Sequence, residues 1–171
     1  MEVLQWLRQR NRIPFLLLIF AAFVCIAGAL VLRRDKPVIP ASISSQAVST
    51  IFVPKGDMYR IDSASAKYDA PDKLLTFKIT SKGKSVATFA EQPTPDQFVD
   101  IPESAPKFFQ QAGEYKVFAS NYGTVHLLHL GKSVNNAAAM NAQGTLLFVN
   151  PSIKFSEDDW RRLFKQLVVL Q

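Results

Sequence analysis

The apolar and polar positions divide the chain into three regimes. Residues 13–32, IPFLLLIFAAFVCIAGALVL, run for twenty positions without a charge. A helix rises 1.5 Å per residue, so this run spans about 30 Å, the thickness of a bilayer's hydrocarbon core. Residues 35–46, DKPVIPASISSQ, hold two prolines and three serines and read as an exposed tether. From Ala47 onward the pattern is mostly strand-like. In KLLTFKIT, strict alternation places Leu75, Phe77 and Ile79 on one face. SKGK turns the chain and SVATFAE returns, which predicts a hairpin. AVSTIFV, ended by Pro54, and a short MYRID come before it. EYKVFAS, GTVHLLHL, SVNNAAAM and TLLFVN come after it, separated by NYG, GK and NAQG. Such short connections cannot carry parallel crossovers, so neighbouring strands are expected to be antiparallel. SVNNAAAM is ambiguous, because three alanines favour a helix as readily.

The chain is expected to close with a helix. Ser156 can cap the first turn, and Asp159 occupies the third helical position of a capping box. Phe155 and Trp160 have the spacing of a hydrophobic staple. Trp160, Leu163, Phe164 and Leu167 share one face, while Arg161, Arg162, Lys165 and Gln166 point away. Three acids at its start followed by basic residues suit the helix dipole. An apolar helix face needs a surface to bury against, and a sheet face supplies it. The expected fold is therefore α+β: an N-terminal transmembrane helix, then an antiparallel sheet domain with a C-terminal helix packed on it. This divides the chain into a cytoplasmic tail (1–12), a membrane span (13–32), a juxtamembrane basic cluster with its linker (33–46), and an extracytoplasmic domain (47–171).

Three fates compete for the apolar run. A cleaved signal peptide has an apolar region of about 7–15 residues before a small-residue site. Ala27-Gly28-Ala29 offers small residues, but Leu30, Val31 and Leu32 continue the run past them. A lipoprotein needs a small residue before its modified cysteine, and Phe23 and Val24 precede Cys25, the chain's one cysteine. An uncleaved single-pass anchor fits best. Arg8, Arg10 and Arg12 precede it and Arg33, Arg34 and Lys36 follow it, so the positive-inside count is nearly tied. The N-terminus is placed in the cytoplasm and the domain outside, because large domains translocate largely regardless of charge. Val3, Leu4, Trp6 and Leu7 suit either an amphipathic turn on the inner surface or a disordered tail. Ala21, Cys25 and Ala29, four apart, make a small-residue stripe that would let two membrane helices pair into a homodimer; alanines are also common in spans for no such reason.

Composition sharpens this picture. Of 171 residues, 48% are hydrophobic and 11% aromatic, as in a folded protein. The net charge is +6, but residues 1–40 hold six basic and two acidic side chains (+4) and the rest fourteen and twelve (+2). The excess thus flanks the membrane run, where it meets anionic headgroups. The nearly neutral folded part lacks the basic stripe of a nucleic-acid binder.

Candidate chemistry is sparse. His126 and His129 lie three apart on a strand, hence on opposite faces, and cannot jointly hold a metal; one is expected near the core and the other in solvent. No nucleophile elbow, Ser-x-x-Lys or phosphate loop sits where its chemistry would need it. No catalytic residue, cofactor or metal is assigned. Residues 91–106, EQPTPDQFVDIPESAP, hold four prolines, four acids and no base. One reading is a partner- or cation-binding loop using Asp96, Asp100 and Glu103 around Phe98. The other, which is preferred, is a solvated connection pinned by Phe98, in which Pro102 spoils any helix that would gather the acids.

The layout of basic tail, membrane run and tether leads into STIFVPKGDMYRID, LLTFKI, FAEQPTPDQF, YGTVHLLHL and LLFVNPSIKFSEDDWRRLFKQL. It resembles bacterial single-pass envelope proteins with a small extracytoplasmic domain of unknown function, in which a hairpin runs into a Glu-Gln-x-Pro-like segment, here Glu91-Gln92-Pro93, and a late strand feeds a closing helix. The resemblance covers about residues 48–170 and implies location and fold, with no catalytic residues to carry over. The expected role is a non-catalytic envelope module that binds a protein, peptide or wall polymer. An envelope enzyme with a dispersed active site and a structural subunit assembled through its membrane helix are the alternatives.

Overall fold

The computed structural model describes residues 39–101, 103–129 and 136–170. The apolar run, with Ala21, Cys25 and Ala29, lies outside them, as does Pro102. Among the described residues no helix is long and apolar enough to cross a membrane.

Seven strands form one antiparallel sheet: β2 (Arg60–Asp69), β3 (Leu74–Ser81), β4 (Lys84–Pro93), β5 (Glu114–Ala119), β6 (Thr124–Leu128), β7 (Ala137–Ala142) and β8 (Thr145–Pro151). Their spatial order is β2-β3-β4-β8-β7-β6-β5. This is two meanders, with the last strand of the second laid beside the last of the first. Tight turns set the registers. Ser81 pairs with Lys84 and Ala142 with Thr145, leaving two-residue loops at Lys82-Gly83 and Gln143-Gly144. All four loop residues have positive φ, between 50° and 76°, as the twist of a two-residue hairpin demands and as glycine tolerates best. The expected alternation in β3 holds, with Leu75, Phe77 and Ile79 all buried. The ambiguous alanine segment is the strand β7.

The chain crosses from β4, in mid-sheet, to β5 at the far edge through two short helices, α2 (Asp96–Asp100) and α3 (Ser104–Gln111). They cover one sheet face, where Phe98 and Phe109 pack with Leu128, Ala139 and Leu146. The connection is pinned by Phe98 as expected but contains these two short helices, and no single helix gathers Asp96, Asp100 and Glu103. Pro106 lies in the first turn of α3, where amides have no intrahelical partner and a missing N–H costs nothing.

The opposite face carries the main core, in which α4 (Glu157–Lys165) buries Trp160, Leu163 and Phe164. Ser156 and Asp159 form the expected capping box, and the Phe155 and Trp160 rings lie 4.7 Å apart. The chain does not end on this helix. Leu167 starts a ninth strand, β9 (Leu167–Leu170), which pairs antiparallel with β1 (Ile51–Pro54) as a separate ribbon. Arg161, Arg162 and Lys165 of α4 are exposed as expected, but two side chains also have inward contacts or atoms. Arg161 lies over Phe118, 4.9 Å from the ring centroid, and Gln166 has a buried Oε1 without a hydrogen-bond partner among the described residues.

Two further differences concern the start of the domain. MYRID extends into the ten-residue β2, which bulges between Asp62 and Lys67. There Ser65 Oγ accepts the Lys78 amide (2.7 Å) in place of a ladder carbonyl. From Ile39 onward the stretch read as tether joins the fold: Ile39 is buried in the main core, and α1 (Ala41–Ser44) packs beside β2 with Ile43 against that core.

Candidate functional site

One cross-sheet row collects the main core. Tyr68, Leu75, Glu91, Leu147, Met140, Val125 and Phe118 stand directly opposite one another across seven strands, so their side chains share a face. Glu91 is the only acid in it. Alternation along β4 turns it inward with Ala87 and Phe89, and it is 1% exposed. Its carboxyl accepts the Phe52 N–H of β1, at 3.2 Å from each oxygen. Beside it Thr145, fully buried, donates to the Thr50 carbonyl (2.6 Å), and Thr50 Oγ1 donates to the Gln143 carbonyl (3.0 Å). These side chains hang β1 on the large sheet, to which no strand ladder joins it. Pro54, two residues beyond Phe52 on the same edge of β1, has no N–H to leave unpaired there. Burial pushes the Glu91 carboxyl well above the usual carboxylate range, and the Phe52 amide opposes this more weakly. A carboxyl so enclosed holds β1 in place through the Phe52 amide.

An open cleft of about 630 Å³ lies at the other end of β1, lined in part by Asp57, Met58, Arg60, Thr80 and Gln166. Along its wall Thr80 Oγ1 donates a long bond to the Arg60 carbonyl (3.3 Å). Its lining contains no histidine, and Asp57 is its one acid.

The predicted loop residues separate. Phe98 is buried as the expected pin and touches Phe108 (5.4 Å between centroids), whereas Asp96, Asp100 and Glu103 all face solvent. Glu103 pairs with Lys107 (3.2 Å). Among the described residues no group of three or more His, Cys, Asp or Glu side chains could hold a metal ion. The histidines divide as expected. His126 is half-buried, stacked on Phe109 (4.0 Å) and in contact with the Glu114 carboxylate. His129 is exposed, stacked on Tyr115 (4.0 Å), with Asn136 bridging its ring and the Tyr115 hydroxyl.

The remaining feature is β5, the end of the sheet. Tyr115 and Val117 are 43% and 47% exposed on it, while Phe118 is buried beside Phe164. Sequence reasoning reads EYKVFAS as a strand but contains no signal for its place at the edge, which depends on the crossover through α2 and α3. Glu91 did carry a signal: two residues beyond Phe89 on a strand, it shares Phe89's inward face. In comparison with known proteins, the chain matches no family model, no curated protein and no solved structure.

Proposed function

We propose that the chain is a non-catalytic binding module of the cell envelope, anchored by residues 13–32 with its N-terminus in the cytoplasm and its sheet domain outside. The observation that supports this reading is the edge strand β5, whose outer side pairs with no described strand and which exposes Tyr115 and Val117. An edge of this kind offers backbone groups and apolar side chains to a partner chain. Among the described residues the one buried acid, Glu91, is enclosed under β1, where it accepts the Phe52 N–H.

Affinity capture from intact membranes tests the reading. The full chain should co-isolate a specific partner that residues 1–38 alone do not. A partner set identical for both baits, or none for either, would refute the domain's binding role.

A further inference from the structure

The two edges of the seven-stranded sheet are treated differently. At β2 the edge is broken by the bulge between Asp62 and Lys67, and α1 packs beside it. Bulges and covering elements are usual ways of blocking an edge against further strands. At β5 a bulge lies only between Glu114 and Lys116, after which Lys116, Val117, Phe118 and Ala119 pair regularly with β6. No proline or glycine interrupts the strand.

Backbone directions follow from the turn. Ser120 donates its N–H inward to the Gly123 carbonyl (2.8 Å). In an antiparallel ladder inward and outward residues alternate, so Phe118 also bonds inward, and Val117 and Ala119 turn their N–H and C=O outward. The charges that would ordinarily guard such an edge are engaged within the domain. Glu114 contacts His126, and Lys116 contacts Glu157. Arg161 shares Glu157 (2.8 Å) and lies over Phe118. On the α4 side of β5, Lys116 and Arg161 thus share the single carboxylate of Glu157. On the α3 side the edge presents Val117.

We propose that the outer edge of β5 takes up an extended partner segment as an eighth strand, bonded to the backbone of Val117 and Ala119, with apolar residues beside Val117 and alternating acidic residues facing Lys116 and Arg161. Side chains directly opposite across paired strands approach to about 4.5–5.5 Å at Cβ, so an acid there reaches both cations. A second copy of this chain fits less well, because symmetric pairing of β5 with β5 brings two positive clusters together. The proposal rests on the reading of the domain as a binding module and names its surface.

The test uses the full chain in detergent micelles and two fluorescein-labelled peptides, one alternating valine with glutamate and one alternating valine with arginine. Fluorescence anisotropy should show the glutamate peptide binding more tightly, by up to about fivefold for each exposed ion pair formed. High salt should shrink the difference. Hydrogen exchange should slow at residues 117–119 on binding. Lys116→Glu should reverse the preference, and Val117→Pro should abolish binding, each checked for retained circular dichroism. Equal binding of the two peptides, protection elsewhere in the domain, or a peptide-free dimer protected at β5 would overturn the proposal. Should Val117→Pro fail to fold, the Lys116→Glu reversal decides alone. If membrane capture by the full chain persists in both variants, the binding module stands and the β5 assignment falls; if the wild type captures nothing, the module itself falls.

Discussion

Glu91 shows how one side chain ties stability to pH. Its folded-state pKa is raised, first by burial, so the folded protein holds a proton that the unfolded chain releases above its ordinary value of 4.5. The stabilisation is fully present below that value and is lost as pH rises through the window up to the raised folded value. Within that window the unfolding free energy should fall by about 1.4 kcal/mol per pH unit, the slope for one proton. Glu91→Gln keeps the shape and can still accept the Phe52 amide, so denaturant titrations of this variant should lack the slope. An unchanged slope in Glu91→Gln would place the titrating group elsewhere. Asp159 and Glu157 act in the opposite sense. Bonds from Ser156 hold the Asp159 carboxyl low, and Lys116 and Arg161 lower that of Glu157. Their contributions are lost only as pH falls through still lower values, so the two regimes separate.

At the scale of elements, α4 carries the clearest expectation. Trp160 is 1% exposed against Phe155 and Phe164, and its truncation to alanine should cost about 3–5 kcal/mol. Ser156→Ala removes a cap, about 1 kcal/mol. Arg161→Ala is not silent as a solvent-facing residue would be, because it strips a cation from the Phe118 ring; an exposed contact of that kind contributes about 0.5–1 kcal/mol. Denaturant unfolding should therefore rank Trp160→Ala far above two similar, smaller effects, and an Arg161→Ala loss equal to that of Trp160→Ala would mean the helix packs by its other face. What the sequence made legible was local. The alternation of Leu75, Phe77 and Ile79 and the Ser156–Asp159 box are written within a few residues, and both stand in the structure. What it concealed depends on distant partners. Leu167 continues the spacing of Leu163 and Phe164 and reads as helix, yet it opens β9 because Ile51–Pro54 lies ready to pair. Residues 104–111 are hidden among prolines, one of which fits a first helical turn. The small polar residues of β2 have no periodicity, and only pairing with β3 makes them a strand. The β5 edge was illegible for the same reason, since an edge is a property of sheet order.

On the whole-molecule scale, a charge-free run of about bilayer length precedes a domain in which Ile39 is the first buried residue among those described. Six residues, 33–38, separate the end of the run from Ile39, and three of them are basic. The proposed arrangement anchors the chain by this run, sets these basic residues beside anionic headgroups and leaves the folded domain outside. The most direct measurement of this claim is protease digestion of intact cells or oriented membranes, read with antibodies to each end of the chain. Digestion from the outer face should remove the C-terminal domain and leave the N-terminal end protected, while alkaline washing of undigested membranes releases no protein. Release of a soluble fragment beginning near Leu30, or a domain that stays protected until the membrane is lysed, would contradict it.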